Sequence, residues 1–285
     1  MKNIELVIFD WAGTTVDYGC FAPVKVFLEI FKEKGIDVTL EEARAPMGLL
    51  KIDHIKAMLS GKRISDLWKE KYGRKWDMND VNEMYKDFEE KLFKILAEYT
   101  TPVPHCIETV TLLRNSGIKI GSTTGYTKEM MDIVVPGAAA KGYSPDFYIT
   151  PSSVAAGRPY PYMIFKNMDY LKTGDLDCVL KVGDTISDIK EGRNAKVWTV
   201  GVLKGSSELG LTEEEVKNLS EEELKEKMEE VAAKMISAGA HMVIEDISKV
   251  PMAVEIINNR LQMNGRKSLA FKGGREIKWI DLMNV

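Results

Sequence analysis

Short runs of branched apolar residues alternate along the chain with longer stretches in which apolar positions recur every three or four residues. The runs fall at 4–10 (IELVIFD), 117–124 (GIKIGSTT), 146–150 (DFYIT), 178–184 (CVLKVGD), 197–202 (VWTVGV) and 241–245 (HMVIE). Unbroken apolar runs of this length fit strands of a parallel sheet buried on both faces. Helical periodicity occupies 105–116, 127–140, 160–172 and 185–194 between them. This alternation predicts an α/β fold built on a doubly wound parallel sheet, with ligands beyond the carboxyl ends of the strands. Asp10, Thr124 and Asp184 fall at such ends.

From about 22 to 98 the pattern changes to successive amphipathic helices with no convincing strand (VKVFLEIFKEKG, LEEARAPMGLLKIDHIKAML, ISDLWKEKYG, VNEMYKDFEEKLFKILAEY). A helical block of this length in one sheet crossover is unusual, so it predicts an inserted all-α cap domain over 21–98. The core domain is then 1–20 with 99–262. Within 211–238, LTEEE and SEEEL read as two capping-box helix starts. The segment 263–285 fits no element and is set apart as a tail of unassigned role.

A chain of 285 residues has room for a core and a smaller cap. Its 39 basic and 43 acidic residues give a net charge of −4 with no basic stripe, which argues against nucleic acid and membrane surfaces and for a small-molecule partner. Cys20, Cys106 and Cys178 are odd in number and lack metal-ligand spacing, as expected in a reducing compartment. With no apolar run near the roughly 20 residues of a membrane span and no signal-peptide pattern, a cytoplasmic location is expected.

Candidate chemistry gathers at the predicted strand ends. Asp10 closes the first strand and runs into a turn of small residues, either as a reactive carboxylate or as a structural cap of that loop. Thr124 in GSTTGYT can hydrogen-bond a phosphoryl oxygen, Arg158 in AAGRPYP supplies a fixed cation, and Asp184 with Asp188 in KVGDTISD forms an acidic pair. A hard cation such as Mg2+ is commonly held by one or two carboxylates with substrate phosphate and water, a role open to Asp10 and Asp184. Asp188 either binds the metal through water or orients Thr185 and the loop amides; the second role is favoured.

LVIFDWAGTT at 6–15, followed in order by Thr124, Arg158 and Asp184, resembles the signature of the haloacid dehalogenase superfamily. That resemblance implies that Asp10 is a nucleophile and a magnesium ligand. Phosphatases of the superfamily usually carry a second Asp two positions on, as the leaving-group acid, and here that position is Ala12. To about residue 262 the chain resembles the phosphonoacetaldehyde hydrolase family, through FDWAGTTVDYG (9–19), APMGLLKIDH (45–54), STTGYT (122–127), AGRPYP (156–161) and KVGDTISDIKEGRNA (181–195). The resemblance implies that Lys51 forms a Schiff base with the substrate aldehyde, that Met47 lies beside it, that the Ala12 backbone carbonyl faces magnesium, and that the protein is a homodimer.

Chemistry explains the pairing of Lys51 with Ala12. Cleaving a P–C bond expels carbon, and a protonated imine lets the departing electrons settle as a neutral enamine, so no oxygen awaits protonation. Lys51 must be neutral to attack, and at pH 7 only about one ordinary lysine in a thousand is. Burial or a neighbouring cation therefore has to depress its pKa, and His54, three residues on, is a candidate for that tuning and for the substrate pocket. Gly48 and Gly125 are read as substrate-side glycines. For Met47, Cys20, Tyr126 and Trp11, bordering the pocket and ordinary packing both stay open. An apolar stripe of Val24, Val26, Phe27, Ile30 and Phe31 is a candidate dimer surface on the cap. The rival readings are a phosphomonoesterase or phosphomutase of the superfamily, and a non-catalytic binding protein on the same fold.

Overall fold

The structure is a computed structural model and describes residues 2–264. Six parallel strands form one sheet: β1 (Leu6–Phe9), β2 (Lys119–Thr123), β3 (Phe147–Ile149), β4 (Val179–Gly183), β5 (Trp198–Val202) and β6 (Met242–Ile244), in the order β3-β2-β1-β4-β5-β6. β1 lies between β2 and β4, with Phe9 level with Ser122 on one side and Val182 on the other. The residues that follow these strands, Asp10, Thr124 and Asp184, therefore emerge side by side where the strand order reverses, the place where open α/β sheets bind ligands.

All four residues of β1 are fully buried, as its unbroken apolar run requires. Their side chains alternate: Leu6 and Ile8 join Ile164 and Val179 in one cluster, while Val7 and Phe9 join the main core on the other face.

After β1, and before the helix that leads into β2, come five α-helices and no strand: α1 (Phe21–Glu33), α2 (Leu40–Arg44), α3 (Lys51–Ser60), α4 (Lys62–Tyr72) and α5 (Met78–Ile95). These form the helical cap. Thr39 and Glu42 make a reciprocal capping box at the start of α2, and Asp77 and Asp80 make one at α5. Phe27 of α1 stacks on Phe88 of α5 with ring centroids 4.5 Å apart and on His54 of α3 at 3.9 Å. The apolar stripe of α1 is thereby accounted for. Val24, Val26, Phe27, Ile30 and Phe31 are all buried within the chain, so the stripe is not the dimer surface that its sequence suggested; its partner is a helix some sixty residues further along the same chain.

The other helices cover the sheet: α6 (Cys106–Asn115), α7 (Lys128–Ala139), α8 (Tyr162–Tyr170), α9 (Ile186–Ala195), α10 (Glu213–Asn218), α11 (Glu221–Ser237) and α12 (Val250–Asn264). Thr212 with Glu215 and Ser220 with Glu223 form the two capping boxes read in the sequence. α12 continues through 263 and 264, and the remainder of the segment set apart as a tail lies outside the described residues.

Asp17 secures the passage from core to cap. Its carboxylate accepts hydrogen bonds from the backbone N–H of Phe21 at 3.0 Å and Ala22 at 3.1 Å, the first donors of α1. Burial nevertheless pushes its pKa up to about 6, against the lowering effect of those two amides. The folded carboxyl then holds its proton more tightly than the unfolded one, so its contribution is most favourable below pH 3.8 and is lost as pH rises to about 6.

Two outcomes follow. Asp17→Asn should remove up to about 3 kcal/mol of stability loss between pH 4 and 7, read as the difference from wild type in urea midpoints; parallel pH profiles would contradict it. Phe88→Ala should cost about 3–5 kcal/mol by emptying the centre of the cap, and a change below about 1 kcal/mol in urea unfolding would show that the stack contributes little.

Candidate active site

Asp10 leaves β1 into a tight loop in which the Trp11 carbonyl accepts from the N–H groups of Thr14, Thr15 and Val16 at 3.1, 2.7 and 3.0 Å. Thr15 Oγ1 donates to the Asp10 carbonyl at 3.0 Å, and Thr14 Oγ1 to Asp184 Oδ1 at 2.8 Å. The backbone N–H of Ser207 holds Asp184 Oδ2 at 2.8 Å. Gly13, at φ +91°, lies so close that a Cβ there would sit 2.3 Å from Asp184 Oδ2. A side chain at this position would displace the carboxylate.

Carboxylate oxygens of Asp10, Asp184 and Asp188 lie within 4.8 Å of one another, all from buried residues. Burial pushes the pKa of both Asp10 and Asp184 up, and among their neighbours the other carboxylates raise them further. Three converging oxygen donors with excess negative charge fit a hard divalent cation.

Arg158 ties the cluster together. Its Nη2 donates to Asp10 Oδ1 at 2.5 Å and to Thr123 Oγ1 at 2.8 Å, and lies 3.0 Å from Asp188 Oδ1; its Nε donates to Glu191 Oε2 at 3.1 Å. Lys181, fully buried in β4, pairs with Asp188 Oδ1 at 2.9 Å and Glu191 Oε2 at 3.3 Å. Burial pushes the Asp188 carboxyl up, but Arg158 and Lys181 outweigh this and hold it below its ordinary value. Asp188 also closes the capping box of α9, accepting from Thr185 Oγ1 at 2.6 Å. It thus orients Thr185 as the sequence favoured, while its carboxylate also belongs to the acidic cluster.

Across from Asp10, the first residue of α3 is Lys51, buried at 3% exposure. Asp10, Lys51 and Arg158 border one small cavity, whose walls include Ala12, Thr124 and Gly125. Burial lowers the Lys51 pKa most, and Arg158 lowers it further against the opposing pull of Cys20, Asp10 and Asp17. The Lys51 Nζ lies 5.1 Å from the centre of the Tyr126 ring. Thr124 Oγ1 accepts from the Tyr126 N–H at 3.0 Å, which leaves its own proton to offer into the cavity.

Cys20 and Tyr126 also line this cavity; burial pushes the Cys20 thiol up, which keeps it protonated. Trp11 does not line it and packs edge-on to Tyr143 with ring centroids 5.2 Å apart. His54 is outside the lining: its ring lies on Phe27 and its Nε2 is 2.9 Å from the Ala43 carbonyl. Burial, reinforced by Lys51, pushes the His54 pKa well below its ordinary value, so the ring is neutral and supplies no charge to depress Lys51. Arg158 is the cation in that position. Met47 is buried but outside the lining as well; its carbonyl accepts from Ser187 Oγ of α9 at 3.0 Å. Gly48 borders the cavity, yet its tightest neighbour is the core: at φ +83°, a Cβ would lie 2.5 Å from Thr185 Oγ1. On Gly125 a Cβ would meet the Leu49 carbonyl at 2.9 Å. The two glycines let the cap loop press onto the core.

Lys181, Glu191 and Thr123 were not singled out in the sequence. A lysine inside the apolar run CVLKVGD is the signal that marked Lys181, since a buried strand carries such a charge only when it is paired. Glu191 had no comparable mark.

The chain matches the model of haloacid dehalogenase-like hydrolases over residues 4–196. It is 56% identical over 263 residues to a phosphonoacetaldehyde hydrolase of Parabacteroides distasonis, covering 92% of this chain and 100% of that protein. It is 60% identical over 249 residues to a bifunctional phosphonoacetaldehyde hydrolase/aminoethylphosphonate transaminase of Clostridioides difficile, covering 87% of this chain but spanning 39% of that longer protein. The crystal structure of a phosphonoacetaldehyde hydrolase-like protein from Oleispira antarctica superposes with a TM-score of 0.89 at 36% identity, covering 94% of this chain and 96% of that one. Similarity of this extent, running from the loop after β1 through the cap to the last strands, means that the chain belongs to the phosphonoacetaldehyde hydrolase family of the haloacid dehalogenase-like hydrolases.

Proposed function

We propose that this enzyme hydrolyses the P–C bond of phosphonoacetaldehyde to acetaldehyde and orthophosphate, with Lys51 working on the aldehyde and Asp10 on phosphorus. The observation that carries the reading is that a buried lysine of lowered pKa and a buried aspartate at a strand end border the same small cavity.

The neutral Lys51 amine attacks the carbonyl carbon, and loss of water with uptake of one proton from solvent leaves a protonated imine. An Asp10 oxygen then attacks phosphorus in line, and the P–C electron pair moves into a C=C bond, giving a neutral enamine and an aspartyl phosphate. The enamine takes a proton at carbon and the resulting imine is hydrolysed to acetaldehyde and free Lys51. A second water releases orthophosphate from Asp10. Thr124 and Arg158 hold the phosphoryl oxygens, with Gly125 presenting backbone; Cys20, Tyr126 and Gly48 close the wall around the aldehyde.

Asp10 and Asp184 would hold Mg2+, with the Ala12 carbonyl beside them and Asp188 behind. The cation supplies charge neutralisation between the anionic phosphonate and the attacking carboxylate. Ala12 also weighs against a phosphomonoesterase or phosphomutase, because its methyl cannot protonate a leaving oxygen.

The aldehyde is what a transaminase acting on aminoethylphosphonate would supply, the pairing joined in one chain in the Clostridioides difficile relative. Among the described residues no helix is long and apolar enough to cross a membrane, and we place this activity in the cytoplasm. A homodimer, as the family resemblance implies, would use a surface other than the buried stripe of α1.

Borohydride with phosphonoacetaldehyde should inactivate the wild type and add the reduced adduct to the Lys51 peptide. The rate of trapping should rise with pH and reach its half-maximum below 10.5, because the neutral amine is the reactive form and its pKa is lowered. Lys51→Arg should lose the adduct and phosphate release by about a thousandfold or more, since a guanidinium stays protonated. Wild-type turnover in that variant would sink the assignment. Chelation of divalent ions should abolish phosphate release and Mg2+ should restore it; full activity with no bound metal would exclude the cation's role.

A further inference from the structure

The cap meets the core at a second place, outside the cavity. Arg44, the last residue of α2, reaches across to two core loops. Its Nη1 donates to the Gly19 carbonyl at 2.7 Å, the Ser207 carbonyl at 3.1 Å and Ser207 Oγ at 3.4 Å, and its Nη2 to the Gly210 carbonyl at 3.4 Å. The guanidinium also lies 4.8 Å from the centre of the Phe21 ring. Gly210 has φ +66°, and a Cβ there would come within 2.9 Å of Arg44 Nε. The loop is therefore shaped to admit this side chain.

What these loops carry gives the contact its meaning. Gly19 precedes Cys20 on the cavity wall, and its N–H donates to the Gly205 carbonyl at 2.7 Å, so the two loops are joined to each other. Ser207 faces both ways: its carbonyl takes Arg44, and its N–H holds Asp184 Oδ2 at 2.8 Å. One residue thus links a cap arginine to a carboxylate of the acidic cluster. Several carbonyls converging on one guanidinium also require its planar fork, which an ammonium does not reproduce.

We propose that Arg44 is a positioning residue that couples cap closure to the seating of Asp184, so that a divalent cation and the closed cap favour each other. The inference rests on the reading of Asp184 as a metal ligand and adds how that site is regulated. When the cap swings away, Arg44 leaves with it, the Ser207 carbonyl turns to water, and the amide that fixes Asp184 loses its support. Coupling of this kind is reciprocal.

The opposite signs of two effects make the proposal testable. Arg44 is a positive charge near Asp184, so electrostatics alone says that removing it tightens cation binding. Coupling says that removal weakens it. Calorimetric titration of the intact protein with Mg2+ alone, at fixed ionic strength, should give a Kd about tenfold weaker in Arg44→Ala and in Arg44→Lys, which keeps the charge but not the fork. Small-angle scattering should show Mg2+ compacting the wild type and leaving both variants unchanged. Circular dichroism confirms that each variant is folded, and Arg44→Lys serves if Arg44→Ala is not. Mg2+ binding as tight as wild type, or tighter, in Arg44→Lys would overturn the coupling and leave the phosphonate chemistry untouched. No Mg2+ binding by the wild type would overturn the coupling together with the metal assignment, while Lys51 trapping would still stand or fall by its own test.

Discussion

Charge balance at the carboxyl end of the sheet is the constraint on which the rest of the structure depends. Four buried carboxylates, Asp10, Asp184, Asp188 and Glu191, crowd against two buried cations of the core, Arg158 and Lys181. Burying unpaired charge costs several kcal/mol per ion, so this grouping is tolerable only with close pairing and further positive charge. The pairing is uneven. Arg158 and Lys181 hold Asp188 ionised, whereas burial pushes Asp10 and Asp184 towards their protonated forms, with Asp188 adding to both and Asp10 also to Asp184. A divalent cation would match the remaining two charges and make Asp10 available as an anion.

The same constraint explains the division of labour between sheet and cap. At the sheet end the charges of Arg158, Lys181 and the carboxylates are fixed by close pairing. Lys51 comes from the cap and sits near the rings of Phe27 and Tyr126, where burial lowers its pKa and Arg158 lowers it further. The fold thereby sets a lysine of lowered pKa and a buried aspartate on the walls of one cavity. Gly48 and Gly125 bring the walls together, because a Cβ at either position would strike the facing segment.

Much of this was legible in the sequence. The strands were plain because buried parallel strands are unbroken apolar runs, and the strand-end residues followed from where those runs stop. Asp10, Arg158, Thr124 and Asp184 stood out through spacing and resemblance, and Lys51 through resemblance alone. Harder to read were partners distant in the chain. The α1 stripe looked free because α5 and His54, which cover it, cannot be paired with it by periodicity. Met47 and Arg44 act on or through backbone carbonyls and hydroxyls, which carry no residue-type signal. His54 sat at the right spacing from Lys51 to tune it, but burial against Phe27 makes it neutral, and Arg158 takes that part from more than a hundred positions away.

The central claim is that Lys51 and Asp10 perform separable tasks at two ends of one substrate. It is tested most directly by borohydride trapping with phosphonoacetaldehyde in the Asp10→Asn variant, followed by peptide mass spectrometry and phosphate analysis. The account predicts that the reduced adduct still forms on the Lys51 peptide while no phosphate is released. Phosphate release at the wild-type rate, or an adduct found on another lysine while Lys51 stays unmodified, would contradict it.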